Sequence, residues 1–116
     1  MIRRRVVMFL ACLTVVALAW ALPAIAATTV SVKAGKPSEF RFTLAKKSVK
    51  AGKVTFTIAN KGTVPHDFSI HGKKTKLIKP GHSAKLTVSL KKGSASFKCT
   101  VPGHAADGMK GVLKVT

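Results

Sequence analysis

The chain predicts an all-β fold: an antiparallel Greek-key β-sandwich of seven to eight strands, preceded by an N-terminal signal or anchor segment. Three observations predict it. Short runs of alternating apolar and polar residues recur from Thr28 to Thr116, each bounded by Gly, Pro, Asn or Lys turn residues. No stretch carries helical periodicity over a useful length. No repeat or low-complexity linker interrupts the pattern, so it belongs to one domain.

Residues 1–26 read as an address rather than as part of that domain. Arg3, Arg4 and Arg5 form a positive start, an apolar run follows from Val6 to Pro23, and Ala24-Ile25-Ala26 supplies the small residues of a signal-peptidase site. Cleavage after Ala26 is the preferred reading. The run over residues 6–27 also has the length of a bilayer span (~20 residues), so an uncleaved anchor is its competitor. Phe9-Leu10-Ala11-Cys12 is a poor acylation box with too little apolar sequence before it. Either way, residues 27–116 are expected outside the cytoplasm, in the periplasm or at the cell exterior.

The strands follow in order. Thr28 to Lys33 alternates and stops at Ala34-Gly35. Phe40, Phe42 and Leu44 share one parity, Arg41 and Thr43 the other, as in a half-buried strand. After Ala51-Gly52, Val54, Phe56 and Ile58 define the buried face of a strand over Lys53 to Ala59. Asn60-Lys61-Gly62 turns the chain toward His66, whose parity with Phe68 and Ile70 points the imidazole inward at a strand start. Lys79-Pro80-Gly81-His82 is a turn, Leu86, Val88 and Leu90 mark the next strand, and Lys92-Gly93 closes it. Phe97 and Cys99 then share a face, and Gly111 to Thr116 forms the last strand.

Composition narrows the chemistry. Residues 27–116 are enough for one domain with a modest core. They keep a single cysteine, Cys99, and a single methionine, Met109. A lone cysteine in an exported domain makes no internal disulfide, which leaves an inert buried thiol or a metal ligand. Three of the 21 Lys and Arg lie in the leader, leaving 18 against Glu39, Asp67 and Asp107, a net charge of about +15. Such a field steers acidic partners and weakens with salt. An acidic redox protein or an anionic membrane surface fits it. Export and the lack of an aromatic stacking platform argue against nucleic acid.

The chemistry-bearing stretch is Phe97 to Gly111, in which Cys99, His104 and Met109 are spaced as Cys-x4-His-x4-Met. Thiolate and thioether are soft ligands suited to copper, and imidazole suits it too. Two His and a Cys in a plane with a weak axial Met make a blue-copper electron-transfer site. The loop supplies one His, so the second comes from elsewhere, and His66 in Val64-Pro65-His66-Asp67 is the candidate. Zinc prefers more thiolates or imidazoles and rarely a thioether.

On these residues the chain resembles the cupredoxins, the plastocyanin- and azurin-like small blue copper proteins, over nearly all of residues 27–116. The resemblance implies a cupredoxin topology and one copper ion per chain, cycling between Cu(I) and Cu(II). It implies His66, Cys99 and His104 as strong ligands and Met109 as the weak axial one. It also implies electron passage at the exposed edge of His104, ringed by Val64, Pro65, Val101, Pro102, Ala105 and Ala106. Members often carry Asn or Ser after the first His to tie the two ligand loops together; here Asp67 holds that position. A carboxylate makes a similar bond and adds a charge that favours the oxidised ion. Thr100 and Asn60 are further candidate hydrogen-bonding partners.

The expected activity is therefore that of a monomeric one-electron carrier, not an enzyme, working between redox partners with acidic docking surfaces. The competing reading is a copper carrier or buffer that delivers the metal to a cuproenzyme. A Cys99 nucleophile with His104 as its base would leave Met109 without a purpose and put both groups on one tight loop. His71 and His82 read as surface histidines, too few for a second site. Lys46-Lys47 and Lys73-Lys74-Thr75-Lys76 read as solvated turns.

Overall fold

The computed structural model describes residues 12, 14, 15 and 27–116. The leader assigned to residues 1–26, and its competing anchor over residues 6–27, lie almost wholly outside the described residues. The described chain contains nine strands and no helix: β1 (Thr28–Ala34), β2 (Phe42–Leu44), β3 (Ser48–Val49), β4 (Gly52–Asn60), β5 (Ser69–Ile70), β6 (Lys73–Lys74), β7 (Ser83–Leu90), β8 (Gly93–Lys98) and β9 (Lys110–Val115).

These strands form two facing sheets, β2-β1-β4-β7 and β3-β9-β8-β5-β6. Most neighbours are antiparallel, as expected, but β1 pairs parallel with β4 and β3 pairs parallel with β9. The chain passes through β3 in the other sheet between β2 and β4, and five strands separate β3 from β9, so no tight hairpin joins either parallel pair. Strand number exceeds the expected seven to eight because β3, β5 and β6 are two-residue pieces too short to leave an alternating pattern.

The alternation seen in the sequence builds the core. Val30, Val32 and Ala34 of β1, Val54, Phe56 and Ile58 of β4, and Val88 and Leu90 of β7 are buried on the inner face of one sheet. Ile70, Ala95, Phe97, Leu113 and Val115 answer from the other. Phe68 is the central contact, its ring 5.2 Å from that of Phe56, 5.3 Å from Phe42 and 5.6 Å from Phe97. A fully buried Phe contributes roughly 1.5–3 kcal/mol, and this one is placed two residues after His66.

Two local expectations are corrected. The strand over residues 40–44 begins only at Phe42. Gly35 N–H bonds to Arg41 C=O at 2.9 Å, closing residues 35–41 into a loop that leaves the sheet and crosses one end of the sandwich. The strand expected from His66 is also broken. His66 makes an isolated antiparallel bridge with Ile78, and regular pairing starts at Ser69. The β5–β6 turn is His71-Gly72, with φ of 50° and 73°. Positive φ at both central residues suits a two-residue hairpin and sends the chain back so that Ile78 reaches His66.

Candidate metal centre

His66 is delivered by the segment that leaves β4. That segment wraps around the buried side chain of Asn60, whose Nδ2 donates to Val64 C=O at 2.9 Å and to Ile78 C=O at 2.8 Å. Its Oδ1 accepts from Gly62 N–H at 2.9 Å. The bridge to Ile78 then fixes the backbone of His66 itself, with bonds of 3.1 and 2.7 Å. Two residues later, Phe68 anchors the segment in the core. His66 is thus held on both sides before its ring meets anything.

Cys99, His104 and Met109 sit in the loop between β8 and β9. Lys98 and Lys110 are the last paired positions, and Cys99 N–H donates to Met109 C=O at 3.0 Å just beyond them. The hairpin therefore places the thiol-bearing and thioether-bearing residues opposite one another at its mouth. Between them, His104 N–H donates to Val101 C=O at 3.1 Å, Asp107 N–H to Gly103 C=O at 3.0 Å, and Met109 N–H to His104 C=O at 3.0 Å. The loop is a stack of turns, not an open excursion. Gly108 adopts φ 109°, and a Cβ there would run into the Arg41 guanidinium.

The two loops meet at one end of the sandwich. The Nδ1 atoms of His66 and His104 are 3.1 Å apart, and Cys99 Sγ is 3.5 Å from the Nδ1 of His104 and 4.0 Å from that of His66. Three donor atoms thus converge on one small space. Cys99 is 1 % exposed, and His66 and Met109 are 0 % exposed, while His104 is half-buried. Met109 is buried and its C=O accepts from Cys99 N–H, which places its backbone beside the three converging donors. His71 and His82 are exposed and lie outside this cluster.

The surrounding hydrogen bonds tie the loops together. Asp67 N–H points at Cys99 Sγ at 3.5 Å, and the Asp67 carboxylate accepts from Thr100 N–H at 2.6 Å and from the Thr100 hydroxyl. Position 67 therefore links the His66 segment to the Cys99 loop, with Thr100 as partner. Asn60 braces the His66 segment alone. Burial pushes the Cys99 thiol up; the N–H groups of Asp67 and Val101 pull it down, and the Asp67 charge adds to the rise. An apo thiol at this position stays protonated, and a cation at the site is what would release the proton.

Sequence reasoning missed three neighbours, Glu39, Phe40 and Arg41, all on the loop that leaves the sheet before β2. Glu39 Oε1 accepts from His66 Nε2–H at 2.7 Å. The Phe40 ring meets the His104 ring edge-on, centroids 5.0 Å apart. Arg41 Nη1 donates to Asp107 C=O at 2.8 Å. Burial raises the Glu39 carboxyl, but donors from Thr63, His66 and Val64 outweigh it and hold the group at about 2, against a usual 4.5. The available signal was charge: this chain has only three acidic residues among 21 cations. Two of the three make side-chain bonds at this site, and the third, Asp107, lies in the ligand loop.

The donor set fits a copper ion. One thiol sulfur and two imidazole Nδ1 atoms converge, the soft sulfur selects against magnesium and calcium, and a buried methionine lies at the loop's end. His66, Cys99 and His104 would hold the ion.

A family model described as a cupredoxin-like domain matches residues 6–115. Auracyanin B superposes with a TM-score of 0.67 at 24 % identity, over 78 % of this chain and 89 % of that one. Auracyanin A, a "blue" copper protein of Chloroflexus aurantiacus, gives 0.66 at 20 % identity over 78 % of this chain and 100 % of that one. Rusticyanin of Thiobacillus ferrooxidans gives 0.64 at 23 % identity over 76 % of both chains. At these identities the superpositions establish a shared fold. No curated protein matched.

Proposed function

This chain belongs to the cupredoxin-like domain family, and from that premise we propose that it is a small blue copper protein carrying single electrons between redox partners outside the cytoplasm. The observation that carries the reading is the convergence of His66 Nδ1, His104 Nδ1 and Cys99 Sγ within 4.0 Å of one another. When bound, copper supplies a one-electron couple. His66, Cys99 and His104 would hold it as strong ligands in this reading, with Met109 as a weaker fourth.

The chain's own contribution is rigidity and exclusion of water. Two loops anchored in a β-sandwich hold the donors before metal arrives, so little needs to move when the charge changes. His104 is the ligand that reaches the surface. Exposed Val64, Pro65, Pro102 and Ala106, with half-buried Val101 and Ala105, frame it as an apolar contact patch. The chain's net positive charge guides acidic partners to it. Residues 1–26 serve as an export signal or residues 6–27 as an anchor, and the domain works as a monomer.

Burial of three of the four residues favours an electron carrier over a copper-delivery protein, because delivery needs an acceptor to reach the ligands. The test is copper loading followed by visible spectroscopy. An intense blue thiolate band that a mild reductant bleaches is expected; a colourless copper-loaded protein overturns the reading. Rapid copper transfer to an acceptor with slow electron self-exchange would instead support delivery.

A further inference from the structure

We propose that Glu39 is a positioning residue for the bound ion: its carboxylate sets the tautomer and orientation of His66 and shifts the redox equilibrium toward the oxidised state. The proposal rests on the copper reading above and adds a residue from a third segment of the chain to it.

The geometry carries the first half. Glu39 Oε1 lies 2.7 Å from His66 Nε2, and His66 is fully buried. An ionised carboxylate only accepts, so Nε2 carries the proton and donates. In the neutral ring, Nδ1 is then left with a lone pair. Nδ1 is also the atom that faces His104 Nδ1 and Cys99 Sγ. The ring is therefore prepared for a cation before one is present, as a carboxylate behind a ligating histidine does at other metal sites.

The carboxylate is itself held in place. Thr63 N–H donates to both of its oxygens at 3.1 and 3.0 Å, the Thr63 hydroxyl adds a bond of 3.2 Å, and Val64 N–H adds another of 3.2 Å. Gly62 leaves room for it, since a Cβ there would press into the carboxylate. Glu39 is thus pinned to the very segment that presents His66.

The second half follows from charge. Among the described residues His66 is the one ion-pair partner of Glu39, so no Lys or Arg neutralises it locally. A fixed negative charge one imidazole away stabilises Cu(II) more than Cu(I).

Two measurements test the halves separately. In the metal-free wild-type protein, 15N NMR should find His66 as the Nε2–H tautomer; the Nδ1–H tautomer would overturn the positioning half. In copper-loaded protein, Glu39→Gln and Glu39→Ala should shift the Cu(I)/Cu(II) equilibrium about tenfold toward Cu(I), a rise of about 59 mV for one electron. Glu39→Asp keeps the charge and should stay within about threefold of wild type. A merely structural role would lower the melting temperature of all three variants without separating their potentials. Equal potentials across the set, or an Asp variant shifted as far as Gln, would overturn the charge half. If the wild type never develops a blue band, the copper reading falls and the redox half falls with it; the metal-free tautomer still decides the other.

Discussion

The Nδ1 atoms of His66 and His104 face each other at 3.1 Å although 38 positions of chain separate the two rings. Each ring reaches that point by its own support: His66 through Asn60, Ile78 and Phe68, and His104 through the turns that stack between Cys99 and Met109. Both supports are made of the chain's own backbone and side chains. The chain therefore builds its donor geometry from the scaffold outward.

Metal removal should leave the fold intact. Circular dichroism of the copper-free protein is expected to match that of the loaded form. Copper at about 100 times its Kd should add about 2.7 kcal/mol, which for a domain of this size raises Tm by roughly 10–20 °C. Loss of β-structure on chelation would contradict a preformed site.

Cys99 and Met109 should differ in what their loss does. Cys99→Ser is expected to remove the blue band and weaken copper binding at least tenfold, since the soft thiolate is gone. Met109→Leu should keep the band and move the reduction potential, as expected of a weak axial ligand. Titration of both variants with copper, followed by voltammetry, checks this. Loss of colour in Met109→Leu would make Met109 an equal partner in the ligand set.

Asp67 should matter through its bonds to Thr100 more than through its charge. Asp67→Ala removes the link between the two ligand loops and leaves Thr100 N–H without that acceptor, at a cost of about 1–3 kcal/mol. Asp67→Asn retains an acceptor and should recover at least half of that loss in denaturant melts. Identical melts for Ala and Asn would mean the bond contributes nothing.

Gly108 and Arg41 should be coupled. Gly108→Ala demands φ 109° of an L-residue and drives its Cβ into the guanidinium, for an expected loss of about 1–3 kcal/mol. Arg41→Ala relieves the clash but frees Asp107 C=O, so the double variant should regain only part of the loss. A fully additive double-mutant cycle would show that the two do not meet.

Association with an acidic redox partner should slow as salt rises, because a net charge of about +15 over residues 27–116 acts through a screened field. Stopped-flow electron transfer between about 10 mM and 0.5 M salt should show a steep decline. A flat rate would assign the lysines to solubility alone.

Most of the strand plan was legible because period-two alternation reports burial directly: Val54, Phe56 and Ile58, or Val88 and Leu90, could face only inward. The four candidate residues were legible because Cys99, His104 and Met109 share one short loop and His66 shares the parity of Phe68. Phe40 was misread as strand for the same reason. It keeps the parity of Phe42, and nothing in its neighbours signals that residues 35–41 leave the sheet.

By itself, the sequence determined which side chains could be ligands and that a β-sandwich would carry them, since donor chemistry and alternation are local properties. Tertiary structure alone decided that Glu39 bonds to His66, that Phe40 lies against His104, and that Arg41 holds Asp107. It also decided that two pairs of strands run parallel. Those relationships join residues from 26 to 66 positions apart, and only closure of the two sheets brings such distant segments together.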